Sequence, residues 1–167
     1  GFQELVALLL PLLENHIYHA PLRVSFATVY RHVPSKLPEF GSILWHSDNH
    51  HEEELKCMIY LNEVGVDQAP FEFLRHKDTH ETPVIVPSMP RKYPRGRIPP
   101  EVIEEFLAQG YESHKMLGPA HSTFLFDEKI IHKGNYAIEG YRDVVVLQLR
   151  PTMYHTPPYI GTWTRSF

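Results

Sequence analysis

Between residues 22 and 150 the chain is cut into short β-branched and aromatic runs by Pro, Gly and Asn, and this punctuation constrains the fold most. Residues 22–33 (LRVSFATVYRHV) put Val24, Phe26, Thr28 and Tyr30 on one face under period-two alternation, and Pro34 and Pro38 close the run. Residues 43–50 read as a second, short strand. In residues 55–61, Leu55, Cys57, Ile59 and Leu61 alternate with Lys56, Met58, Tyr60 and Asn62, giving one greasy and one functional face. Residues 71–74, 83–86, 122–126, 129–132 and 142–150 supply further strand candidates. Helices do not alternate with these strands, so a parallel α/β fold is disfavoured. About eight short strands with many turn signals predict an all-β sandwich or jelly roll.

Two helices flank this core. Leu5, Leu8, Leu9, Leu12 and Leu13 in LVALLLPLL fall at helical spacing and predict a core-facing helix. Pro100 opens, and Gly110 ends, a second helix over residues 101–109. The proline-rich, basic segment 87–100 reads as a loop.

Composition narrows the function classes. The chain has 167 residues, 43% hydrophobic and 12% aromatic, which is enough for one domain (residues 1–167) with a real core. A net charge of −4 offers no basic field for a nucleic-acid backbone. The nine-residue apolar run cannot cross a bilayer that needs about 20 residues, and it lacks the basic flank and cleavage site of a signal peptide. The expectation is a cytoplasmic protein with a small-molecule substrate and neither membrane nor nucleic-acid partner. The chain does not begin with Met, which suggests a processed protein or a piece of a longer one. Cys57 is the single cysteine against 12 histidines, so no internal disulfide forms and a metal site would be built from nitrogen and oxygen.

Trp45-His46-Ser47-Asp48 is where chemistry concentrates. Positions i and i+2 of a strand share a side, so His46 and Asp48 can present an imidazole and a carboxylate to one atom. His132 lies 86 positions later, near the end of another strand candidate. Two His and one carboxylate form the facial triad that leaves open positions on a non-haem Fe(II). Arg142, ten positions beyond His132, opens the VVVLQL strand, and a buried guanidinium there suits the far carboxylate of a 2-oxo diacid.

These residues carry a resemblance. WHSD, the KCMIYLNEV strand followed by PFEFL, FLFDEKIIHKGN and YRDVVVLQLRP resemble the phytanoyl-CoA dioxygenase family of Fe(II)/2-oxoglutarate oxygenases over residues 22–152. The resemblance implies a double-stranded β-helix, with iron held by His46, Asp48 and His132 and the C5 carboxylate of 2-oxoglutarate held by Arg142. It makes Thr28 and Tyr30 further co-substrate contacts, O2 the oxidant and ascorbate a possible activator. It implies hydroxylation of a small organic molecule with release of succinate and CO2. Halogenating relatives replace the carboxylate by a small residue, so Asp48 disfavours halogenation. Family members carry more chain ahead of the first strand, so part of that N-terminal region is expected to be lacking. The family's Pro-Gly-Ser-His turn is Leu74-Arg75-His76-Lys77 here. Two alternatives stand beside this reading: a cupin-like metalloenzyme using the triad without 2-oxoglutarate, and a non-catalytic binding module.

Other residues are given blander roles. Trp45 either anchors its strand or shapes the site. Lys56, Met58, Tyr60 and Asn62 form either a cavity wall or an exposed face. His50 and His51 are expected in a loop, and His76, His80, His114, His121 and His155 at the surface or behind the site. Asp127 and Asn135 are expected to support turns. The basic stretch 91–97 is a solvated loop or a place for an anionic group.

Overall fold

The computed structural model describes residues 2–48, 54–84 and 97–153. Helix α1 (Phe2–Leu13) leads into one wide helical turn (Glu14–Tyr18) and strand β1 (Leu22–His32). Strands β2 (Leu55–Tyr60) and β3 (Phe71–His76) follow, then α2 (Pro100–Ala108), β4 (Tyr111–Met116), β5 (Thr123–Asp127), β6 (His132–Lys133) and β7 (Arg142–Pro151). All strand pairings are antiparallel, in a four-stranded sheet of order β1-β7-β2-β5 and a three-stranded sheet of order β4-β3-β6.

The core has three layers of contact. Val6, Leu10 and Leu13 of α1 pack with Leu22, Val24, Cys57, Ile59, Val145, Leu147 and Leu149 on the outer face of the larger sheet. Between the sheets, Met58, Tyr60, Phe71, Phe126, Val144 and Val146 pack together. Leu74 and Ile131 turn to the far side of the smaller sheet, against Ile98 and against Ile103 of α2. Strand β7 is buried on both faces because it is central, paired with β1 and with β2, which explains its near-continuous apolar run.

Several expectations are corrected. The α1 stripe is Val6, Leu10 and Leu13, whereas Leu5, Leu8 and Leu12 are exposed. LVALLLPLL is apolar almost all round, so spacing alone does not choose the inward face. Strand β1 carries a bulge: Val24 pairs with Leu149 but Phe26 with Gln148, leaving Ser25 extra. Val24 therefore faces α1 while Phe26, Thr28, Tyr30 and His32 face the other way, and alternation read straight through merges the two faces.

Residues 43–48 are not a regular strand. A 3-10 turn (Gly41–Ile43) opens the segment, and His46 bridges both Arg97 and His132. Its backbone is satisfied one residue at a time, so no ladder propagates. Strand β4 went unread because YESHKM is polar, lying at a sheet edge with little to bury. Helix α2 forms as expected, and Gly110 follows it at φ +95°, a conformation that favours glycine. Val84 makes a single bridge to Ile130 rather than a strand. His50, His51, His155 and most of the basic stretch 91–97 lie outside the described residues.

Candidate metal centre

His46 and His132 face each other across adjacent chain segments. Each backbone N–H donates to the other residue's carbonyl at 2.9 Å, and the ring centroids lie 4.2 Å apart. Asp48 follows two residues on and is held by its own N–H donating to Glu128 O at 2.9 Å. The intervening Ser47 points away, with its Oγ donating to Lys129 O at 3.0 Å. Alternation thus puts both side chains of the His-x-Asp on one side while the middle residue pins the segment.

One ligand atom from each of His46, Asp48 and His132 lies within 4.8 Å of the others. His46 Nε2 is 3.6 Å from Asp48 Oδ1, and His132 Nε2 is 3.4 Å from Asp48 Oδ2. Donor atoms this close can be reached by a single ion after an inward movement of the side chains. Both rings are also presented correctly. His46 Nδ1 donates to Leu44 O at 2.7 Å and His132 Nδ1 to Ile130 O at 2.9 Å, leaving each Nε2 turned to Asp48. Burial and the neighbouring His132 push the His46 imidazole down to about 4, so it stays neutral. Burial alone would raise the Asp48 carboxyl, but the His132 hydrogen bond and the Lys56 ammonium outweigh it and hold it well below its ordinary range. An N/N/O donor set with an anionic carboxylate fits a non-haem Fe(II).

The triad opens into a cavity of about 400 Å³ between the sheets. Thr28, Tyr30 and Arg142 line it, as do Phe26, His32, Lys56, Met58, Phe71, Phe126 and Gln148. Arg142 is only 1% exposed, and its Nε and Nη1 have no hydrogen-bond partner among the described residues. Its Nη2 approaches His32 Nδ1 at 3.5 Å, but that nitrogen's proton serves Asn135 O at 3.2 Å. His32 itself is pushed toward neutrality by burial and by Arg142. Burial, more than Arg142 and Lys56 can offset, raises the Tyr30 phenol, so it is a neutral hydroxyl.

The roles left open now separate. Lys56 and Met58 are cavity wall, Tyr60 is buried beneath it, and Asn62 accepts from Asp143 N at 2.7 Å beyond the strand end. Trp45 packs against the cluster of Leu74, Ile98, Ile103 and Ile131 on the α2 side. Asp127 supports its turn by accepting from Lys129 N at 2.8 Å. Asn135 does more than a turn requires: its amide donates to Pro70 O at 2.9 Å and to Glu72 Oε2 at 2.8 Å, tying the loop after His132 to β3.

Sequence reasoning missed Glu54 and Glu128, both fully buried beside the triad. Lys56 pairs with Asp48 and lies 3.7 Å from Glu128 Oε2. Burial pushes the Glu128 carboxyl up to about 7. Glu128 resembles any acidic turn residue in sequence, and nothing there separates it from Asp127. Gln148 and His32 did leave a signal, as a lone amide inside VVVLQL and as the next residue in phase after Tyr30.

No family model and no curated protein matches the chain. Among solved structures, AviO1 from Streptomyces viridochromogenes Tue57 superposes with a TM-score of 0.58 at 14% identity, over 90% of this chain and 60% of AviO1. EctD from S. alaskensis with bound Fe gives 0.57 at 18% identity, over 83% of this chain and 48% of EctD. The EctD apoform gives 0.59 at 17% identity with the same coverages. The likeness to AviO1 and EctD is one of fold. The chain spans 60% of the length of AviO1 and about half that of EctD. No described helix is long and apolar enough to cross a membrane.

Proposed function

We propose that this chain carries the catalytic core of an Fe(II)- and 2-oxoglutarate-dependent dioxygenase on a double-stranded β-helix, hydroxylating a small organic molecule. One observation carries the reading: a buried guanidinium with two unpartnered nitrogens lines the same cavity as a His-Asp-His cluster. A buried cation without an anion is costly, and a ligand carboxylate would supply the anion. The presence of Fe in EctD, a protein of the same fold, supports the choice of metal.

His46, Asp48 and His132 would hold the iron. Arg142 would grip the C5 carboxylate of 2-oxoglutarate bidentately, with the Thr28 and Tyr30 hydroxyls on the intervening wall. Bound Fe(II) with 2-oxoglutarate and O2 supplies the oxidation that releases succinate and CO2 and attacks a substrate C–H bond. The protein's part is positioning. Asp48 stays anionic, the His46 imidazole stays neutral, and Phe71, Phe126 and Met58 exclude water around the reacting centre. Succinate formation that requires both Fe(II) and 2-oxoglutarate, measured as uncoupled turnover with ascorbate, tests the proposal. No such succinate refutes it.

A further inference from the structure

We propose that the end of the cavity built by Phe26, Gln148 and Lys56 is the subsite for the organic substrate, and that it selects a molecule presenting a hydroxyl or amino donor on a small apolar body. The inference rests on the iron and 2-oxoglutarate reading, which gives the triad and the Arg142 end to other occupants.

Register places the subsite. Gln148 lies opposite Phe26 of β1 and Lys56 of β2, on the face of β7 shared with Arg142, Val144 and Val146. Six residues at about 3.3 Å each put Gln148 roughly 20 Å along the strand from Arg142. A five-carbon diacid gripped by Arg142 does not extend that far. The Gln148 end is nevertheless beside the metal ligands, because its neighbour Lys56 pairs with Asp48.

Chemistry then limits the occupant. Gln148 Nε2 donates to Glu54 and lies 3.4 Å from Glu128 Oε2. Glu54 is fully buried and held in turn by Arg150. The amide nitrogen is therefore turned toward carboxylates, and the carbonyl oxygen is what Gln148 has left to offer the cavity. Burying two carboxylates is expensive, and here their hydrogen bonds fix the orientation of one amide and one ammonium. The Lys56 ammonium is spent on Asp48 and Glu128, so it is not available to an anion. Phe26, 56% exposed, and Met58 and Phe126 supply the apolar walls. A fixed acceptor in apolar surroundings rejects an isostere that lacks the donor, because the acceptor is then left unpaired.

The test uses benzyl alcohol, benzylamine and benzyl methyl ether as probes on protein loaded with Zn(II) and 2-oxoglutarate. Saturation-transfer NMR titrations read probe affinity, and calorimetry reads 2-oxoglutarate binding in parallel. The alcohol or the amine should bind about tenfold more tightly than the ether; whichever is tighter identifies the donor. Gln148→Leu and Gln148→Met should lose that preference while retaining zinc and 2-oxoglutarate binding. Glu54→Gln, which lets the amide turn over, should weaken the preference. Equal binding of all three probes, binding of none, or a preference that survives both Gln148 variants overturns the subsite. Failure of 2-oxoglutarate to bind the unaltered protein refutes the underlying reading instead, and the alcohol-to-ether ratio remains readable without it.

Discussion

Replacing Arg142 by Met removes the guanidinium while keeping an unbranched chain of similar reach, and its consequences differ between the free and liganded protein. In the free protein Arg142 is fully buried, with Nε and Nη1 unpartnered, so its loss sacrifices no hydrogen bond from those atoms. Thermal stability of free Arg142→Met should therefore match or exceed that of the parent, contrary to the usual cost of altering a buried residue. With 2-oxoglutarate the sign reverses. Two charge-assisted hydrogen bonds to a desolvated carboxylate are lost, at about 2–4 kcal/mol in total, or roughly 30- to 1,000-fold in affinity. Calorimetry under anaerobic conditions on Mn(II)-loaded protein measures that loss, and a Co(II) titration of the same variant should give an unchanged metal affinity. Arg142→Lys should recover only part of the binding, since an ammonium lacks the planar fork. Unchanged 2-oxoglutarate affinity, or collapse of metal binding, would refute the role assigned to Arg142.

Three further outcomes follow from the same geometry. His132→Ala should weaken Co(II) binding by more than about 100-fold, beyond what outer-shell changes produce, because it removes one of three ligand atoms and a neighbour of Asp48. The Glu128 carboxyl is raised from 4.5 to about 7, so the folded protein favours its protonated form. Its contribution to stability is present in full below pH 4.5 and is lost as pH rises through about 7. Glu128→Gln, neutral throughout, should gain stability relative to the parent from pH 5 to pH 8 in metal-free thermal melts, and a constant difference would contradict this. Deleting Ser25 removes the β1 bulge and forces either Leu22 and Val24 off α1 or Phe26, Thr28, Tyr30 and His32 out of the cavity. Two buried aliphatic side chains at about 1.5–3 kcal/mol each set the scale of the loss in urea melts.

The His46, Asp48 and His132 cluster was legible because its requirements are local. His46 and Asp48 need only the two-residue period of extended chain, and that period survives although the segment is a chain of single bridges rather than a strand. Arg142 was legible for a related reason, since it opens the longest apolar strand and its phase fixes the face. Thr28 and Tyr30 were placed correctly by alternation downstream of the bulge, while Val24, upstream of it, was not. No residue type announces a bulge at Ser25. Glu54 and Glu128 escaped because their burial depends on three segments meeting, which neither composition nor period encodes. The inward stripe of α1 escaped for the opposite reason: too many leucines satisfied the pattern.

The two ends of the cavity carry opposite electrostatic offers, and this bears on how any dianionic ligand must lie. At one end Arg142 presents a buried positive charge beside a neutral His32. At the other, Asp48, Glu54 and the partly ionised Glu128 face Lys56 and Arg150, and the pairing leaves no surplus cation among them. A ligand with carboxylates at both ends would therefore find its favourable direction with one on Arg142 and the other at the triad, where a divalent metal held by two imidazoles and one carboxylate would keep a net positive charge. Reversing or shifting the ligand toward Gln148 would set its carboxylate against a fixed acceptor backed by two buried acids. Under the proposed function, the acids that fix Gln148 would also repel the co-substrate from the proposed substrate subsite. That double effect accounts for burying them without a full complement of cations.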